Sequence, residues 1–328
     1  MWLYFLYGLL ALIIIIIILF IMAIISHNKL FNHRFTSDSR ITYYSKEEYG
    51  LDSKDIEMKL GKDTLRGAIF SYPNAKEDSL FIYCHGMWSG IPEYMQDIEF
   101  FCKKGYQVLA IEYEGTNHSD GKSIRGLSNS LRCIDRVMQY VTSNEELKNR
   151  KIYVAGHSWG GFATLNITYY WPQIKGIIAM SPFVSVIQCY KGLLPKPFWF
   201  LIPFSYCLER IVCKKYAKAN ALKHLKDFKG NIVILHSKDD KLVKFDYNTN
   251  KLMQNKNIHA KYLIVDGKNH HPHYSSESLI LLFEYWKKMS TLFTEEAKTE
   301  YMKTVNFHKL GELDEQILTE ALEYAVKE

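Results

Sequence analysis

The pentapeptide Gly-His-Ser-Trp-Gly at 156–160 constrains the fold of this chain more than any other feature. It has the pattern G-x-S-x-G and directly follows an apolar run, 151–155, that predicts a β-strand. Residues 162–171 then have the composition of a helix. A strand that enters a helix through so short a turn needs glycine on both sides of Ser158, because a Cβ there would collide with neighbouring elements. The pattern predicts a strand–turn–helix unit that pushes the serine hydroxyl away from the backbone.

Short apolar runs alternate with helical segments along the rest of the chain. The runs are 80–84, 108–111, 152–155, 177–180, 232–235 and 262–265, and the helical segments lie near 92–103, 128–144, 159–171, 244–254 and 275–289. Continuous apolar strands are typical of a parallel sheet that is buried on both faces. The alternation therefore predicts an α/β fold with a doubly wound, mostly parallel sheet.

A hairpin is predicted ahead of this alternation. Residues 56–60 alternate between apolar and polar side chains, a Gly-Lys-Asp turn follows at 61–63, and a second strand is predicted at 64–72. We expect the hairpin to form an antiparallel edge of the sheet.

The N-terminus has the composition of a membrane anchor. Residues 1–26 carry no charged side chain, and 13–18 are six consecutive isoleucines. An apolar run of this length spans a bilayer as a helix. A signal peptide is the alternative, but the apolar core is too long, no basic segment precedes it, and no small-x-small cleavage site follows. We expect an uncleaved anchor at 1–26 and a juxtamembrane linker at 27–54. Since basic residues follow but do not precede the helix, we expect the globular part on the cytoplasmic side.

The globular part is predicted to be one α/β domain, 55–290, with an insertion and an extension. The insertion at 183–228 interrupts the strand–helix rhythm and is rich in apolar and aromatic residues between 193 and 206. We expect it to be a lid over a site, with a helix packed on the core as the alternative. Residues 291–328 are predicted to be a C-terminal helical extension with one apolar face.

Charge and cysteine content exclude some classes of protein. The 328 residues have a formal net charge of +6 and a pI near 8.7, without a dense basic cluster, so a nucleic-acid partner is not expected. The six cysteines have no CxxC spacing and are expected to be free thiols. No motif implies a cofactor.

Two further polar loops follow predicted strands. A serine becomes a nucleophile when a base lies within hydrogen-bond reach and a third group orients that base. After 232–235 comes a loop that contains Asp239 and Asp240, and after 262–265 comes a loop that contains His270 and His271. The chain order serine, acid, histidine is the one used on sheets of this type.

These motifs resemble the α/β-hydrolase superfamily, in the branch of serine aminopeptidases and monoacylglycerol lipases that includes small membrane-anchored bacterial proteins. The resemblance runs over about 80–285 and rests on Cys-His-Gly at 84–86, the segments 113–115 and 119–121, the serine turn, the aspartate loop and the terminal histidine. It implies that Ser158, Asp240 and His270 form a catalytic triad, with Ser237 in place of the usual glycine. Asp239 and His271 remain as alternatives one residue away.

The resemblance also implies an oxyanion hole made of two backbone N–H groups. One belongs to Trp159, the residue after the serine, and the other to Met87, which follows His85-Gly86. The family usually has a smaller residue at the second position. We therefore expect Met87 and Trp88 to line an acyl pocket, with Trp88 in contact with substrate.

Each of these residues also has a purely structural interpretation. Ser158 would be a buried turn serine in an inactive relative, and Asp240 would be a helix N-cap. The histidines at 270–273 would form a metal site, but no carboxylate or cysteine lies at ligand spacing, so we expect no metal.

Three functions follow, in order of preference. The first is a membrane-anchored serine hydrolase that cleaves carboxylic esters of apolar, lipid-like substrates. The second is a peptidase, aminopeptidase or thioesterase on the same triad; an aminopeptidase would need an acidic pair, to which Glu114 or Asp246 would contribute. The third is an inactive membrane scaffold that binds a partner through its C-terminal helices.

Overall fold

An eight-stranded sheet is the frame of the protein, which we describe from a computed structural model over residues 1–327. The strand order is β1-β2-β4-β3-β5-β6-β7-β8. β1 pairs antiparallel with β2 and β2 antiparallel with β4, while all other neighbours are parallel. The strands are β1 (Asp52–Leu60), β2 (Asp63–Ser71), β3 (Ser79–Cys84), β4 (Gln107–Ile111), β5 (Lys151–His157), β6 (Gly176–Met180), β7 (Asn231–Ser237) and β8 (Lys261–Val265). The prediction of a doubly wound, mostly parallel sheet with an antiparallel hairpin at one edge is confirmed.

Thirteen α-helices occur in the described residues. They are α1 (Trp2–Phe31), α2 (Lys46–Tyr49), α3 (Met95–Lys103), α4 (Asn129–Ser143), α5 (Trp159–Tyr170), α6 (Val186–Leu193), α7 (Ile202–Cys213), α8 (Ala221–His224), α9 (Thr249–Met253), α10 (Ser276–Met289), α11 (Glu295–Met302), α12 (Phe307–Leu310) and α13 (Glu315–Ala325). The helix predicted at 244–254 is divided into a 3₁₀ turn, Phe245–Tyr247, and the short α9. Asn248 separates the two with a non-helical backbone, and its side-chain carbonyl accepts a hydrogen bond from the Val184 amide at 3.1 Å.

Both faces of the sheet are covered, which explains the continuous apolar runs. Along β3, Leu80 and Ile82 belong to one hydrophobic cluster, which includes residues of α4 and α5. Phe81 and Tyr83 point to the other face and belong to a second cluster, which includes residues of α3 and α13. Polar side chains have no solvated face on such strands, so the functional polar groups must lie at the strand ends.

The hairpin is less deeply buried because it lies at the edge. Only Ile56, Met58 and Leu60 of β1 are buried, and they alternate with partly or fully exposed residues. Leu60 pairs with Asp63 across the turn, where Gly61 has a φ of +67° that glycine adopts without steric cost.

The segment predicted as a juxtamembrane linker contains the end of α1, the short α2 and the first residues of β1. It also packs on the loop after β4. Phe35 forms a parallel bridge with Thr116, and the Arg34 guanidinium donates to the carbonyl oxygens of Asn117 at 2.7 Å and Ser119 at 3.0 Å. These contacts fix the path of the chain between α1 and the sheet.

The insertion that was predicted to be a lid (183–228, called the lid insertion below) is helical, containing α6, α7, α8 and three 3₁₀ turns. Part of it packs on the core, since Val186 and Ile202 belong to the first hydrophobic cluster. Other side chains of the insertion, such as Phe198 and Phe200, remain about half exposed. The insertion therefore has one face on the sheet layers and one face in solvent.

The C-terminal helix is part of the sheet layers. Leu318, Ala321, Leu322 and Ala325 are buried, and α13 packs against β6, β7 and β8. The carbonyl oxygen of Ala325 lies so close to Gly176 that a Cβ at Gly176 would be 2.1 Å from it. The apolar face of the C-terminal extension thus covers the part of the sheet formed by β6, β7 and β8.

We expect Leu318→Ala to lower the free energy of unfolding by about 2–5 kcal/mol, because it leaves a cavity between α13 and the sheet. Glu323→Ala on the same helix is the matched control, since Glu323 is exposed and its loss changes stability by about 0.5 kcal/mol or less. Urea denaturation in detergent, followed by circular dichroism, measures both. Equal midpoints for the two variants would contradict the packing of α13.

Candidate active site

Ser158 occupies a strained turn between β5 and α5. Its backbone has φ +55° and ψ −112°, a conformation that non-glycine residues rarely adopt and that commonly marks functional sites. The Ser158 amide donates to the carbonyl oxygen of Met180 at 2.8 Å, which ties the turn to β6. A Cβ on Gly160 would lie 1.9 Å from the carbonyl oxygen of Cys84, so the first turn of α5 requires glycine there. Close packing thus holds the serine at the carboxyl end of β5.

The loops after β7 and β8 bring an acid and a base to this serine. His270 Nε2 lies 2.8 Å from Ser158 Oγ, and His270 Nδ1 lies 2.8 Å from Asp240 Oδ2. Ser158, Asp240 and His270 therefore form one continuous hydrogen-bonded chain at the carboxyl edge of the sheet.

The two neighbouring alternatives lie outside this chain. Asp239 Oδ1 accepts from the Ser237 hydroxyl and from the Asn269 amide at 3.1 Å, so this carboxylate braces the two loops against each other. The His271 ring stacks on Tyr274, with 4.7 Å between the ring centroids. The geometry therefore favours Asp240 and His270 at the two positions left open by the sequence.

The carboxylate of Asp240 is buried, and both of its oxygens accept hydrogen bonds. Oδ1 accepts from the Leu242 amide at 2.9 Å and the Val243 amide at 2.8 Å, and Oδ2 accepts from His270 and, at 3.2 Å, from His236. Burial alone would raise the pKa of this group. Hydrogen bonds from His236 and His270 outweigh burial and hold the pKa of Asp240 well below its usual range. The group is therefore an anion at any physiological pH.

The charged Asp240 fixes the tautomer of His270. An ionised carboxylate only accepts hydrogen bonds, so the proton of the imidazole is on Nδ1 and Nε2 presents its lone pair to Ser158. This is the arrangement in which an imidazole takes a proton from a hydroxyl.

His236 is a supporting residue to which the sequence analysis assigned no role. Its Nε2 lies 3.2 Å from Asp240 Oδ2 and 2.9 Å from the Val243 carbonyl oxygen, and its Nδ1 lies 2.6 Å from Thr249 Oγ1. Its position in the sequence could have indicated this role, because His236 is the penultimate residue of β7 and lies four residues before Asp240. A buried histidine there satisfies the second side of the carboxylate.

His157, inside the pentapeptide, supports the backbone of the histidine loop. Its Nε2 lies 2.7 Å from the His270 carbonyl oxygen, and its Nδ1 lies 2.7 Å from the Tyr94 hydroxyl. Because a carbonyl only accepts, Nε2 donates and the Tyr94 hydroxyl donates to Nδ1. Tyr94, in the turn before α3, and His157 therefore hold the backbone of the loop that contains His270. Nothing in the sequence pattern pointed to Tyr94.

The two predicted oxyanion donors lie in adjacent segments. Trp159 is the first residue of α5, where backbone N–H groups have no intrahelical acceptor. Its indole is fully buried and donates to the Leu127 carbonyl oxygen at 2.6 Å, so only its backbone is available at the turn. Met87 lies in the loop that leaves β3, the strand next to β5, and is partly buried against the core.

Trp88, predicted to contact substrate, is the exposed residue of this loop. Its backbone φ is +54°, and 48% of its surface is accessible. Ser89 Oγ donates to the Gly86 carbonyl oxygen at 2.8 Å and closes the loop beneath it. The indole is thus held out on a constrained backbone and is free to contact a ligand.

The histidines around the site form a buried neutral cluster. Burial lowers the pKa of His271 to about 3, and burial with mutual repulsion among the histidines holds the pKa values of His157 and His273 well below their usual range. In the part of the chain that the structure describes, no three side chains are arranged to hold a metal ion. The cluster packs as uncharged aromatic rings behind His270.

A separate cavity of about 1080 Å³ lies between the segment 41–48, the β1–β2 hairpin and the turn before α3. Its lining includes Tyr43, Tyr44 and Glu112, but none of Ser158, Asp240 and His270. It is therefore distinct from the hydrogen-bonded chain at the sheet edge.

The sheet order, the antiparallel hairpin, the serine turn after β5 and the loops after β7 and β8 are those of the α/β-hydrolase fold. In sequence, the family described as serine aminopeptidase S33 matches residues 75–206. No curated protein matches the chain.

Several solved structures share the fold. The esterase Pf2001 of Pyrococcus furiosus is 20% identical with a TM-score of 0.56, over 78% of this chain and 96% of that chain. Est1E from Butyrivibrio proteoclasticus, solved with ferulic acid, is 19% identical with a TM-score of 0.53, over 72% of this chain and 97% of that chain. The acylaminoacyl peptidase of Pyrococcus horikoshii is 17% identical with a TM-score of 0.51, over 67% of this chain and 38% of that chain.

The buried titratable groups make stability depend on pH. Burial lowers the pKa of His85 to about 4 and of His271 to about 3, and holds those of His157 and His273 lower than usual. In the unfolded chain each binds a proton below about pH 6.5, so all four favour unfolding as the pH falls. Burial raises the pKa of Asp97 and Glu112 to about 7. Between pH 7 and 4 the folded state therefore binds these two protons more tightly than the unfolded chain, and both groups favour folding as the pH falls.

The four histidines outnumber these two carboxyl groups, and we expect the free energy of unfolding to fall between pH 6.5 and pH 5. Asp240, whose pKa is depressed, titrates below this window. His271→Gln should make the decrease smaller, whereas replacing the exposed His259 by Gln should leave it unchanged. Denaturant titrations at three pH values measure this slope. A slope that is the same in all three proteins would contradict the assignment.

Proposed function

We propose that the protein is a membrane-anchored serine hydrolase that cleaves carboxylic esters of apolar, lipid-like substrates through an acyl-enzyme on Ser158. The observation that carries the proposal is the His270 imidazole, which lies 2.8 Å from both the Ser158 hydroxyl and the Asp240 carboxylate. An ionised, fully hydrogen-bonded carboxylate behind the ring supports the role of His270 as a general base.

In the proposed mechanism, Ser158 Oγ attacks the ester carbonyl while its proton passes to His270 Nε2. The tetrahedral oxyanion is bound by the backbone N–H groups of Met87 and Trp159. His270 then gives the proton to the leaving alcohol, and the acyl group stays on Ser158. Water, activated by His270, attacks this ester in turn and releases the acid. Each oxyanion donor is expected to contribute about 3–4 kcal/mol of transition-state stabilisation.

The membrane anchor in the proposal is α1. It is long and apolar enough to cross a bilayer by length and composition, and it is almost entirely exposed. Lys29 lies in its last turn, and Arg34 and Arg40 follow it, which favours the cytoplasmic side for the hydrolase domain. An enzyme tethered there meets lipid esters at high local concentration.

Peptide hydrolysis is the second candidate, favoured by the match to serine aminopeptidases. An aminopeptidase needs free carboxylates to bind the substrate's amino group. Glu114 is buried and already pairs with Arg132 and Arg125, while Asp246 is exposed and accepts from the Asn250 side chain at 3.3 Å. Neither residue supplies a free buried carboxylate, which supports ester over aminopeptidase substrates.

Labelling with a fluorophosphonate probe tests the nucleophile. We expect the full-length protein to be labelled and Ser158→Ala to lose all labelling, because the probe reacts only with an activated serine. Ser143→Ala, at the exposed end of α4, is the matched control and should label like the wild type. A folded wild-type protein that never reacts would refute the proposal and favour the inactive scaffold.

Replacement of the acid tests the triad assignment. Asp240→Asn removes the charge that holds the His270 tautomer, and we expect kcat/KM for a p-nitrophenyl ester to fall by about 10⁴-fold. Asp239→Asn, one residue away, should cost far less because Asp239 contacts only loop groups. The reverse order of effects would move the acid to Asp239.

Substrate class is tested by comparing p-nitrophenyl esters of increasing chain length with aminoacyl anilides. We expect kcat/KM to rise with acyl length and to be negligible for the anilides, because an exposed Trp88 and an apolar lid favour acyl chains. Faster turnover of the anilides would assign the protein to peptide hydrolysis.

A further inference from the structure

The proposed anchor helix and the lid insertion contact each other. α1 packs against α7, and the rings of Phe20 and Phe204 meet edge to face with 6.3 Å between their centroids. Along α1, the side chains removed from solvent recur every three to four residues, at Phe20, Ala23, His27 and Phe31. One face of the C-terminal half of α1 is therefore fixed to the globular part through the lid.

The N-terminal half of α1 makes no such contact. Residues 1–18 are all exposed, and a helix of this length reaches about 25 Å beyond the globular part. The hydrocarbon core of a bilayer is about 30 Å thick. A bilayer that buries the free part of α1 therefore extends past residue 18 to the level of Phe20, and Phe204 of the lid lies at that same level.

The lid presents apolar side chains to solvent near this level. Exposed fractions are 49% for Phe198, 55% for Phe200 and 62% for Ile211. Phe198 and Phe200 lie in the 3₁₀ turn Lys196–Leu201 that leads directly into α7. On α7 itself, Phe204, Cys207 and Ile211 follow each other at helical spacing and share one face. Aromatic and aliphatic side chains of this kind are stable at the boundary between headgroups and hydrocarbon.

The lid also holds the positive charge of the protein. Residues 183–228 contain eight Lys or Arg and two Asp or Glu, a difference of +6 that equals the formal net charge of the whole chain. The rest of the chain is therefore balanced. In the described part of the chain, Lys215 alone among these eight cations pairs with a carboxylate, that of Asp135 at 3.6 Å. Unpaired cations beside exposed aromatic rings are complementary to anionic lipid headgroups.

We propose that the lid insertion docks on the anionic headgroup layer of the same bilayer that α1 spans, with the α1–α7 contact fixing its depth. The inference rests on the membrane anchor of the proposed function. The occupant of the lid surface is the lipid phosphate layer, with Phe198, Phe200 and Ile211 inserted at its boundary and the lysines above them. Phe283 and Trp286 of α10 are exposed, and this face of α10 is expected to stay in water.

Cys207 offers a native labelling site for the test. All six cysteines are free, and only Cys207 is exposed. A polarity-sensitive fluorophore on Cys207 of the full-length protein reports on the lid face, and the same fluorophore on Phe283→Cys in a Cys207→Ser background is the matched control on α10, where Phe283 is 69% exposed. Both proteins are placed in nanodiscs of phosphatidylcholine alone or with phosphatidylglycerol, and quenching by neutral acrylamide is measured.

We expect quenching at Cys207 in the phosphatidylglycerol discs to be about threefold weaker than at position 283, with a blue-shifted emission, because the headgroup layer covers the probe. Lys196→Glu with Lys218→Glu should restore quenching at Cys207, whereas Lys287→Glu with Lys288→Glu on α10 should not. Equal quenching at both positions, or shielding at Cys207 that is unchanged without phosphatidylglycerol, would overturn the proposal.

Fluorophosphonate labelling of Ser158 in the same discs separates the two proposals. If Ser158 is labelled but the probe on the lid stays exposed, the proposed hydrolase function is supported and the docking proposal is overturned. If the probe on the lid is shielded but Ser158 is never labelled, the docking proposal is supported and the proposed hydrolase function is overturned.

Discussion

The buried carboxylate of Asp240 is the group on which the geometry of the site depends. It lies between two backbone amides and two imidazoles, and hydrogen bonds from these four groups stabilise its charge. A buried charge without such partners would neutralise itself by taking up a proton. Because Asp240 stays charged, it accepts a hydrogen bond from Nδ1–H of His270, and the unprotonated Nε2 faces Ser158. The strained serine turn then completes a hydrogen-bonded chain that spans three loops.

Most of the sheet was predictable from the sequence because buried parallel strands and their helices leave periodic patterns. The runs that became β3 to β8, the hairpin and the pentapeptide turn all carried local signals of that kind. For the acid and the base, the sequence left two adjacent candidates each, Asp239 or Asp240 and His270 or His271. Loops have no periodic pattern that would distinguish between neighbouring residues. Only the fold, which brings the loops after β7 and β8 together, distinguishes a member of each pair.

Other features had no local signal. His236 and Tyr94 reach the site through hydrogen bonds to Asp240 and His157, and such partners are set by tertiary packing. The break at Asn248 arises because its side chain is needed by the Val184 amide, 64 residues away. The contact between Phe20 and Phe204 joins segments that sequence patterns treat separately. It links the proposed anchor to the lid insertion, which carries the excess positive charge of the chain.

The proposed nucleophile is tested most directly by mapping the acyl-enzyme. A slowly hydrolysed ester is mixed with the full-length protein, the reaction is quenched in acid within one turnover, and the digested protein is analysed by mass spectrometry. The account predicts one acyl group per chain, on the peptide that contains Ser158, appearing with a burst of released alcohol. Ester turnover without any adduct, or an adduct on another residue, would contradict it.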